Sequence, residues 1–100
     1  MKKTTEYDLD IKPTADRIFR KMAKRNRRRL IMIYNKIEEI RSNPRHEYKF
    51  LKKPLQNFNR VHIDTHFVLV FKMDHTKRSV VIYYFDHHDM VYKWRPKAEG

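Results

Sequence analysis

The chain has 100 residues, and its 24 Lys and Arg against 12 Asp and Glu give a formal net charge of +12 at pH 7. This length predicts one domain with a modest core, while the lack of Cys excludes disulfide frameworks and thiolate zinc sites and the single Gly excludes Gly-rich phosphate loops. The charge excess repels itself and so predicts an anionic partner, and without a long apolar segment or a signal peptide we expect an intracellular protein that makes no membrane contact.

The first predicted element is a half-buried strand, because apolar and charged residues alternate over residues 6–12. Pro13 and Thr14 end this strand. We expect Thr14 to cap a first helix that carries Asp16 in its first turn. The apolar stripe between Leu30 and Ile40 predicts a second helix, and we expect residues 25–29 to include the turn between the two helices. This helix ends before Pro44, because the residue that precedes a proline avoids helical geometry.

The rest of the chain predicts three strands joined by tight turns, of which the last is β-branched and aromatic like a central strand. In chain order, the predicted segments are a loop at 44–57, a strand at 58–63, a turn at 64–65, a strand at 66–73, a turn at 74–77 and a strand at 79–85. The elements predict an α+β fold, β-α-α-β-β-β, with a helical hairpin packed on a small antiparallel sheet. One domain should occupy residues 1–94 and a flexible tail residues 95–100. The predicted core includes Leu9, Ile18, Leu30, Ile37, Val61, Val68 and Val80.

The helical region is strongly basic: eight Lys or Arg residues lie between Arg17 and Arg29, and no acid occurs from Arg17 through Ile37. Charge runs are usually solvated helix faces, but eight uncompensated charges favour a phosphate-binding surface whose affinity falls with salt. An acidic protein is the other partner that such a surface fits. We expect the side chains of Arg27, Arg28 and Arg29 to be exposed. The candidate RNA-binding residues are Arg25, Arg27, Arg28, Arg29, Lys52, Lys53 and His87.

Alternation in the second strand puts Arg60 and His62 on one face, while Val61 and Ile63 should face the helices. An Arg in that position can hold a phosphate through two hydrogen bonds, and a His can exchange a proton. The alternative is an ordinary exposed strand face.

Five of the six histidines lie between residues 59 and 94, and two of them follow the last predicted strand. Functional groups often lie where rigid strands end, so His88 is a candidate acid or base and Tyr92 a candidate donor. The histidines of a polar loop are one alternative. A metal site is another, since His62, Asp64 and His66 share parity, as do His87 and Asp89. The predicted turn at 64–65 would, however, put His66 on the other face.

Two segments resemble the RelE/ParE toxin superfamily, and are nearer the RelE-type messenger RNA interferases than the gyrase poisons. Residues 60–71, Arg-Val-His-Ile-Asp-Thr-His-Phe-Val-Leu-Val-Phe, resemble the family's hairpin, in which basic residues flank a tight turn. Residues 85–92, Phe-Asp-His-His-Asp-Met-Val-Tyr, are similar to its closing motif, a His-Arg pair followed by Val-Tyr. The element order also matches, and the resemblance spans residues 7–94.

The resemblance implies a cytoplasmic toxin that enters the ribosomal decoding site and cuts mRNA. The reaction would be attack of a ribose 2′-oxygen on the adjacent phosphate, with no metal or other cofactor. By position, Arg60 and His62 take the cationic places of the strand, Tyr92 takes the tyrosine place, and His88 stands where the closing-motif Arg is usual. These four are the implied catalytic residues. The implied partners are the ribosome, mRNA and an acidic, RelB-like antitoxin that wraps the toxin.

Two departures from the family pattern leave other functions open. His88 replaces an Arg, and Phe67 stands where an Arg commonly follows the hairpin turn. An Arg is permanently charged and forks onto phosphate, whereas a His binds phosphate only when protonated and a Phe does not bind it. The alternatives are a weakened protein of this fold that only binds nucleic acid or antitoxin, and a ParE-like gyrase inhibitor.

Overall fold

The structure is a computed structural model that describes residues 6–97. Its elements follow the predicted order and are β1 (Asp8–Ile11), α1 (Pro13–Arg25), α2 (Arg27–Ser42), β2 (Asn59–Ile63), β3 (Phe67–Asp74), β4 (Ser79–His87) and a short 3₁₀ helix, η1 (Val91–Lys93). Within residues 6–97, neither helix combines the length and the apolar composition needed to cross a membrane. The predicted tail of residues 95–100 lies partly outside the described residues, and the domain boundaries stay a prediction.

The four strands form one sheet in the order β1-β4-β3-β2. The three C-terminal strands pair antiparallel as predicted, but β1 pairs parallel with β4, so the sheet is mixed instead of wholly antiparallel. Tight hairpins can join only antiparallel neighbours. The chain between β1 and β4 includes both helices and two strands, and this long connection permits the parallel direction.

The first helix begins at Pro13, before the predicted cap Thr14, which does not cap it. Lys12 occupies the capping position and makes no side-chain capping bond. Proline suits the first helical position because its φ is already helical and the N–H that it lacks would have no partner there. Thr14 lies inside the helix, where its hydroxyl accepts a hydrogen bond from Arg17 Nη2 at 3.3 Å. The predicted place of Asp16 in the first turn is confirmed.

A single residue, Asn26, separates the two helices. Its backbone N–H donates to the carbonyl of Met22 at 2.7 Å and so closes α1. Its side-chain oxygen accepts the backbone N–H of Arg29 at 3.1 Å and so caps α2. The predicted hairpin of two helices therefore depends on one asparagine that serves both ends.

Apolar side chains cover both faces of the sheet. The main core lies between helices and sheet and includes Ile37 and Val80, with the predicted core residues Leu9, Ile18, Leu30 and Val61 packed half-buried against it. The opposite surface, here called the outer face, carries a second cluster. This cluster includes the predicted core residue Val68 and is completed by apolar residues of the 44–57 loop and of η1. The parts of the outer face that this cluster leaves uncovered hold the polar groups described next.

Candidate functional site

The outer face carries the two polar residues of β2 that the sequence assigned to it. Arg60 pairs with Val70 of β3, and His62 pairs with Val68 of the same strand. Their neighbours Val61 and Ile63 pack on the helix side of the sheet, as predicted. His62 is exposed and Arg60 is half-buried. The backbone N–H of Arg60 donates to the carbonyl of Lys49 at 2.8 Å, so the loop runs along the outer edge of β2 and fixes the strand.

A bulge in β4 brings two further polar side chains to the same face. The pairing of β3 with β4 shifts between Val70 and Phe71, and Tyr83 is the extra residue. Tyr83 and Tyr84 consequently both contact the outer cluster, and Phe85 returns to the main core. Asp86 then pairs with Val68, which lies between it and His62. Bulges often redirect side chains beside functional sites, and strict alternation of β4 would have pointed Tyr84 and Asp86 at the helices.

Two rows of residues thus cross the outer face. One row is Arg60–Val70–Tyr84 and the other is His62–Val68–Asp86. Neighbouring strands lie about 4.8 Å apart, so the ends of each row are separated by roughly 10 Å at the backbone. Tyr84 and Asp86 could not be assigned to this face from the sequence, since a period of two gives no signal for an inserted residue.

The Tyr84 hydroxyl donates a hydrogen bond to Asp86 Oδ2 at 2.7 Å. Partial burial, followed by this bond and the negative charge of Asp86, raises the pKa of Tyr84 to about 12. The ring stacks on Trp94 with centroids 5.0 Å apart. The other oxygen of Asp86 accepts the backbone N–H of His87 at 2.8 Å. Tyr84 is therefore a protonated, fixed group near neutral pH and holds the Asp86 carboxylate in place.

Tyr92, in η1, also lies on this side of the sheet, against the outer cluster. Its hydroxyl oxygen accepts the backbone N–H of Lys52 at 2.8 Å. The hydroxyl proton is not used in that bond and can be donated elsewhere. This contact also holds the loop that carries Lys52 and Lys53, whose side chains are both exposed.

His88 lies past the end of β4 in a cluster with His66 and His87. Its backbone N–H donates to the carbonyl of His66 at 2.8 Å. The rings of His87 and His88 stack with centroids 4.5 Å apart, and the His66 ring lies 6.0 Å from each of them. One ring nitrogen or more of each histidine lies within 4.8 Å of the other two. Of the residues in the metal alternative, His66 and His87 belong to this cluster and Asp89 lies beside it, whereas Asp64 binds Arg29.

Arg29 differs from the expectation of an exposed side chain. It is half-buried, its Nη2 lies 3.3 Å from Asp64 Oδ2, and its guanidinium lies 4.0 Å from the centre of the Phe67 ring. Phe67 in turn stacks on Phe85 in the main core. The charge of Arg29 is thus partly satisfied inside the protein. Arg27 and Arg28 are exposed as expected, and Arg25 of the same surface is exposed too.

A basic cleft of about 1170 Å³ lies at the other end of the sheet, where β3 ends and β4 begins. Its cations are dispersed along the chain and form no run, so the sequence gives no local signal of this cleft. Lys72 packs over the Phe58 ring at 4.5 Å on the outer face. The basic side chains that line the cleft are Arg45, His46, Lys49, Lys72, His75 and Arg78.

No model of a known protein family matches the chain, but individual relatives do. The chain is 48% identical over 87 residues to "Putative toxin RelE4" of Methanocaldococcus jannaschii, with 87% of this chain and 92% of the relative covered. It is 49% identical over 86 residues to an uncharacterized protein of Methanosarcina mazei, with 86% of this chain and 99% of the relative covered.

Two solved structures share the fold. The toxin–antitoxin complex RelBE2 of Mycobacterium tuberculosis matches with a TM-score of 0.66 and 21% identity, over 88% of this chain and 98% of that chain. A double mutant of the Escherichia coli toxin RelE in the free state matches with a TM-score of 0.68 and 18% identity, over 87% and 88%. The identity to the Methanocaldococcus protein extends over most of both chains and confirms the resemblance seen in the hairpin and the closing motif: this chain belongs to the RelE family of toxins.

Proposed function

We propose that this chain is the toxin of a type II toxin–antitoxin pair and acts in the cytoplasm as a ribosome-dependent endoribonuclease that cleaves mRNA. The observation that carries the proposal is the outer face, where Arg60 and His62 of β2 share one surface with the Tyr84–Asp86 pair and with Tyr92. Cations, an imidazole and a phenol on a rigid sheet are the groups that RNA cleavage by an internal nucleophile requires.

The proposed reaction is attack of a ribose 2′-oxygen on the adjacent phosphorus. A base removes the 2′ proton, a cation stabilises the negative charge that develops on the phosphate oxygens, and an acid protonates the departing 5′-oxygen. The products are a 2′,3′-cyclic phosphate and a 5′-hydroxyl end. Each step needs only protonation and charge stabilisation, so the proposed mechanism uses no metal or other cofactor.

The proposed roles follow from the chemistry of each side chain. Arg60 stabilises the developing charge, since a guanidinium can direct two hydrogen bonds at one phosphate. His88 exchanges the proton, with help from His62, because imidazole can both accept and donate. Tyr92 donates to the substrate, since its oxygen accepts from Lys52 N–H and its proton stays available.

The proposed partners are the ribosome and mRNA when the toxin is free, and an acidic RelB-like antitoxin when it is silenced. Three observations support these partners. They are the net charge of +12, the toxin–antitoxin complex in which RelBE2 was solved, and the two basic surfaces, one on the helices and one lining the cleft. Exposed apolar side chains, including Ile31 on α2 and Phe50 beside the cleft, offer contacts for an antitoxin helix or extended segment.

One observation favours a second candidate, a toxin-fold protein that binds but does not cleave. Phe67 stands at the family's arginine position, points to the helix side and packs against Arg29. The outer face therefore receives no cation from that position. In this case binding to ribosomes would persist and no new RNA ends would appear.

The proposal is tested by inducing the chain in cells and mapping mRNA 5′ ends. The wild-type chain should produce ends inside translated codons, and His88→Ala and Arg60→Ala should each reduce them by about a hundredfold or more, because each change removes a proton carrier or a positioned charge. Lys77→Ala is the matched control, since Lys77 is exposed between β3 and β4 and belongs neither to the helical surface nor to the lining of the cleft.

Three other outcomes would reject ribonuclease action. Growth arrest with DNA breaks and intact mRNA would indicate a gyrase inhibitor. Ribosome binding without new ends would indicate the binding-only candidate. Equal loss of cleavage in Lys77→Ala and His88→Ala would show that the effect is not specific to the site. Co-expression of an acidic RelB-like antitoxin with the wild-type chain should abolish the new ends.

A further inference from the structure

The cluster of three histidines at the end of the sheet exceeds what the proposed cleavage uses, since only His88 takes part in it. We propose that His66, His87 and His88 form a binding site for a divalent transition ion of the zinc class. One or more ring nitrogens from each residue lie within 4.8 Å of the others. Imidazole is a preferred ligand of such ions, and three histidines are a known ligand set for zinc.

Backbone pairing brings the three residues together. His87 is the last residue of β4 and pairs with Phe67, the residue directly after His66. His88 N–H then donates to the His66 carbonyl at 2.8 Å. The loop and the strand end are thus joined by the sheet itself, and the ligands lie at fixed backbone positions. A site of this kind costs little conformational entropy when an ion binds.

The distances suit closure around an ion. Zinc–nitrogen bonds are about 2.0–2.1 Å long, so two nitrogens in a tetrahedral site lie roughly 3.4 Å apart. The greatest separation here is 4.8 Å, and the difference is within reach of small ring rotations. His66 and His88 are exposed and His87 is half-buried, so the rings can turn and the fourth position is open to water, as in zinc sites with three protein ligands.

Asp89 supplies the carboxylate that commonly supports metal-bound histidines. Its oxygens lie 3.1 Å from Nδ1 of His88 and 3.5 Å from Nδ1 of His87. A carboxylate in that place accepts the Nδ1 proton and leaves Nε2 to bind the ion. The backbone N–H of Asp89 also donates to His87 Nδ1 at 3.2 Å. When an ion binds, His87 Nδ1 would exchange this long hydrogen bond for its contact with the Asp89 carboxylate.

The surroundings favour a cation in spite of the basic chain. Asp64, Asp86 and Asp89 all lie within two residues of a cluster histidine. They offset local positive charge, although Arg29 pairs with Asp64. Magnesium and calcium prefer oxygen ligands and do not suit this set.

The test is titration of the untagged, full-length protein with Zn²⁺ by calorimetry, with Co²⁺ absorption as a second probe of tetrahedral nitrogen ligation. One ion per chain should bind. His66→Ala, His87→Ala and His88→Ala should each weaken binding by more than about 100-fold, because even the supporting partners of ligands are worth about 10- to 100-fold. Asp89→Asn should weaken it by about 10- to 100-fold.

His46→Ala is the matched control, since His46 is an exposed histidine outside the cluster, and it should leave Zn²⁺ affinity unchanged. Circular dichroism of each variant shows whether it is folded. Zn²⁺ binding that survives the three histidine changes in folded protein, or that His46→Ala removes equally, would overturn the proposal.

One consequence rests on the proposed function. Because His88 would be held by the ion, Zn²⁺ should inhibit mRNA cleavage by the wild-type chain, and a chelator should have no effect on metal-free toxin. The two proposals fail separately: ion binding without any cleavage rejects only the ribonuclease, and cleavage without ion binding rejects only the metal site.

Discussion

At the residue scale, the bond from Tyr84 to Asp86 shows how the fold sets the chemistry of the outer face. The carboxylate accepts the Tyr84 hydroxyl at 2.7 Å and the His87 backbone N–H at 2.8 Å. Both of its oxygens are therefore bound, which fixes their direction. A carboxylate on a surface that we propose to bind phosphate would repel it, and these bonds partly compensate the charge of Asp86.

The raised pKa of Tyr84 makes a prediction about stability at alkaline pH. Tyrosine in an unfolded chain titrates near 10.0, whereas burial and Asp86 raise the pKa of folded Tyr84 to about 12. Between these values the unfolded chain loses its proton and the folded chain keeps it, so unfolding becomes more favourable. The stabilisation is complete below pH 10 and is lost as the pH rises toward 12.

Tyr84→Phe should accordingly lower stability near pH 8 by about 1 kcal/mol, because it removes a hydrogen bond to a charged acceptor. Its stability should then fall less than that of the wild-type chain as the pH rises. Urea midpoints of both proteins at pH 8 and pH 11.5 measure this. Other groups that titrate are common to both proteins, so equal losses in the two would contradict the assignment.

At the element scale, the junction of α1 and α2 depends on Asn26 alone. Its side chain accepts Arg29 N–H at 3.1 Å, and α2 has no acidic residue in its first turn to assist. Asn26→Ala should therefore lower the free energy of unfolding by about 0.5–2 kcal/mol. Asn35→Ala is the control, since Asn35 is exposed in the middle of α2, where alanine is a better helix former. Chemical denaturation of both variants distinguishes capping from a general effect of losing an asparagine.

The elements also show which parts of the fold the sequence can predict. Strands, helices and the turn at residues 64–65 were predicted well because each leaves a local period or a turn signal. The same alternation assigned Arg60 and His62 to one face of the sheet and their neighbours Val61 and Ile63 to the other. In the structure Arg60 and His62 pair with outer-face residues of β3, and Val61 and Ile63 pack in the main core.

Two features could not be read in this way, because their cause lies in pairing between distant segments. The extra residue Tyr83 is defined only against β3, and it alone decides that Tyr84 and Asp86 reach the outer face. The burial of Arg29 likewise depends on Asp64 and Phe67, which belong to a distant hairpin. A run of charged residues predicts a basic surface but not which member turns inward.

At the scale of the whole molecule, positive charge occupies separate surfaces. Exposed arginines cover the junction of the helices, and a second group lines the cleft beyond β3. A polyanion as large as ribosomal RNA can contact both surfaces at once. The position of a charge should therefore matter in addition to its number.

Two double variants of equal net charge test whether the position of the positive charge matters. Arg27→Glu with Arg28→Glu changes the helix junction, and Lys77→Glu with Lys97→Glu changes exposed lysines elsewhere. Each reversal lowers the formal charge by two, so both variants fall from +12 to +8. Arg29 is left unchanged because its contacts with Asp64 and Phe67 stabilise the fold. Binding to ribosomes and to a single-stranded RNA is measured for each from low to moderate salt.

If the helix junction contacts phosphates, the arginine variant should bind RNA more weakly than the lysine variant at every salt concentration. Each phosphate contact contributes about 0.7 to the slope of log affinity against log salt for a single strand. Loss of two contacts should thus flatten the slope by about 1.4 relative to the wild-type chain, while the lysine variant keeps a slope near the original. Equal weakening of both variants would mean that net charge alone attracts the RNA, and an unchanged slope in the arginine variant would remove this surface from the interface.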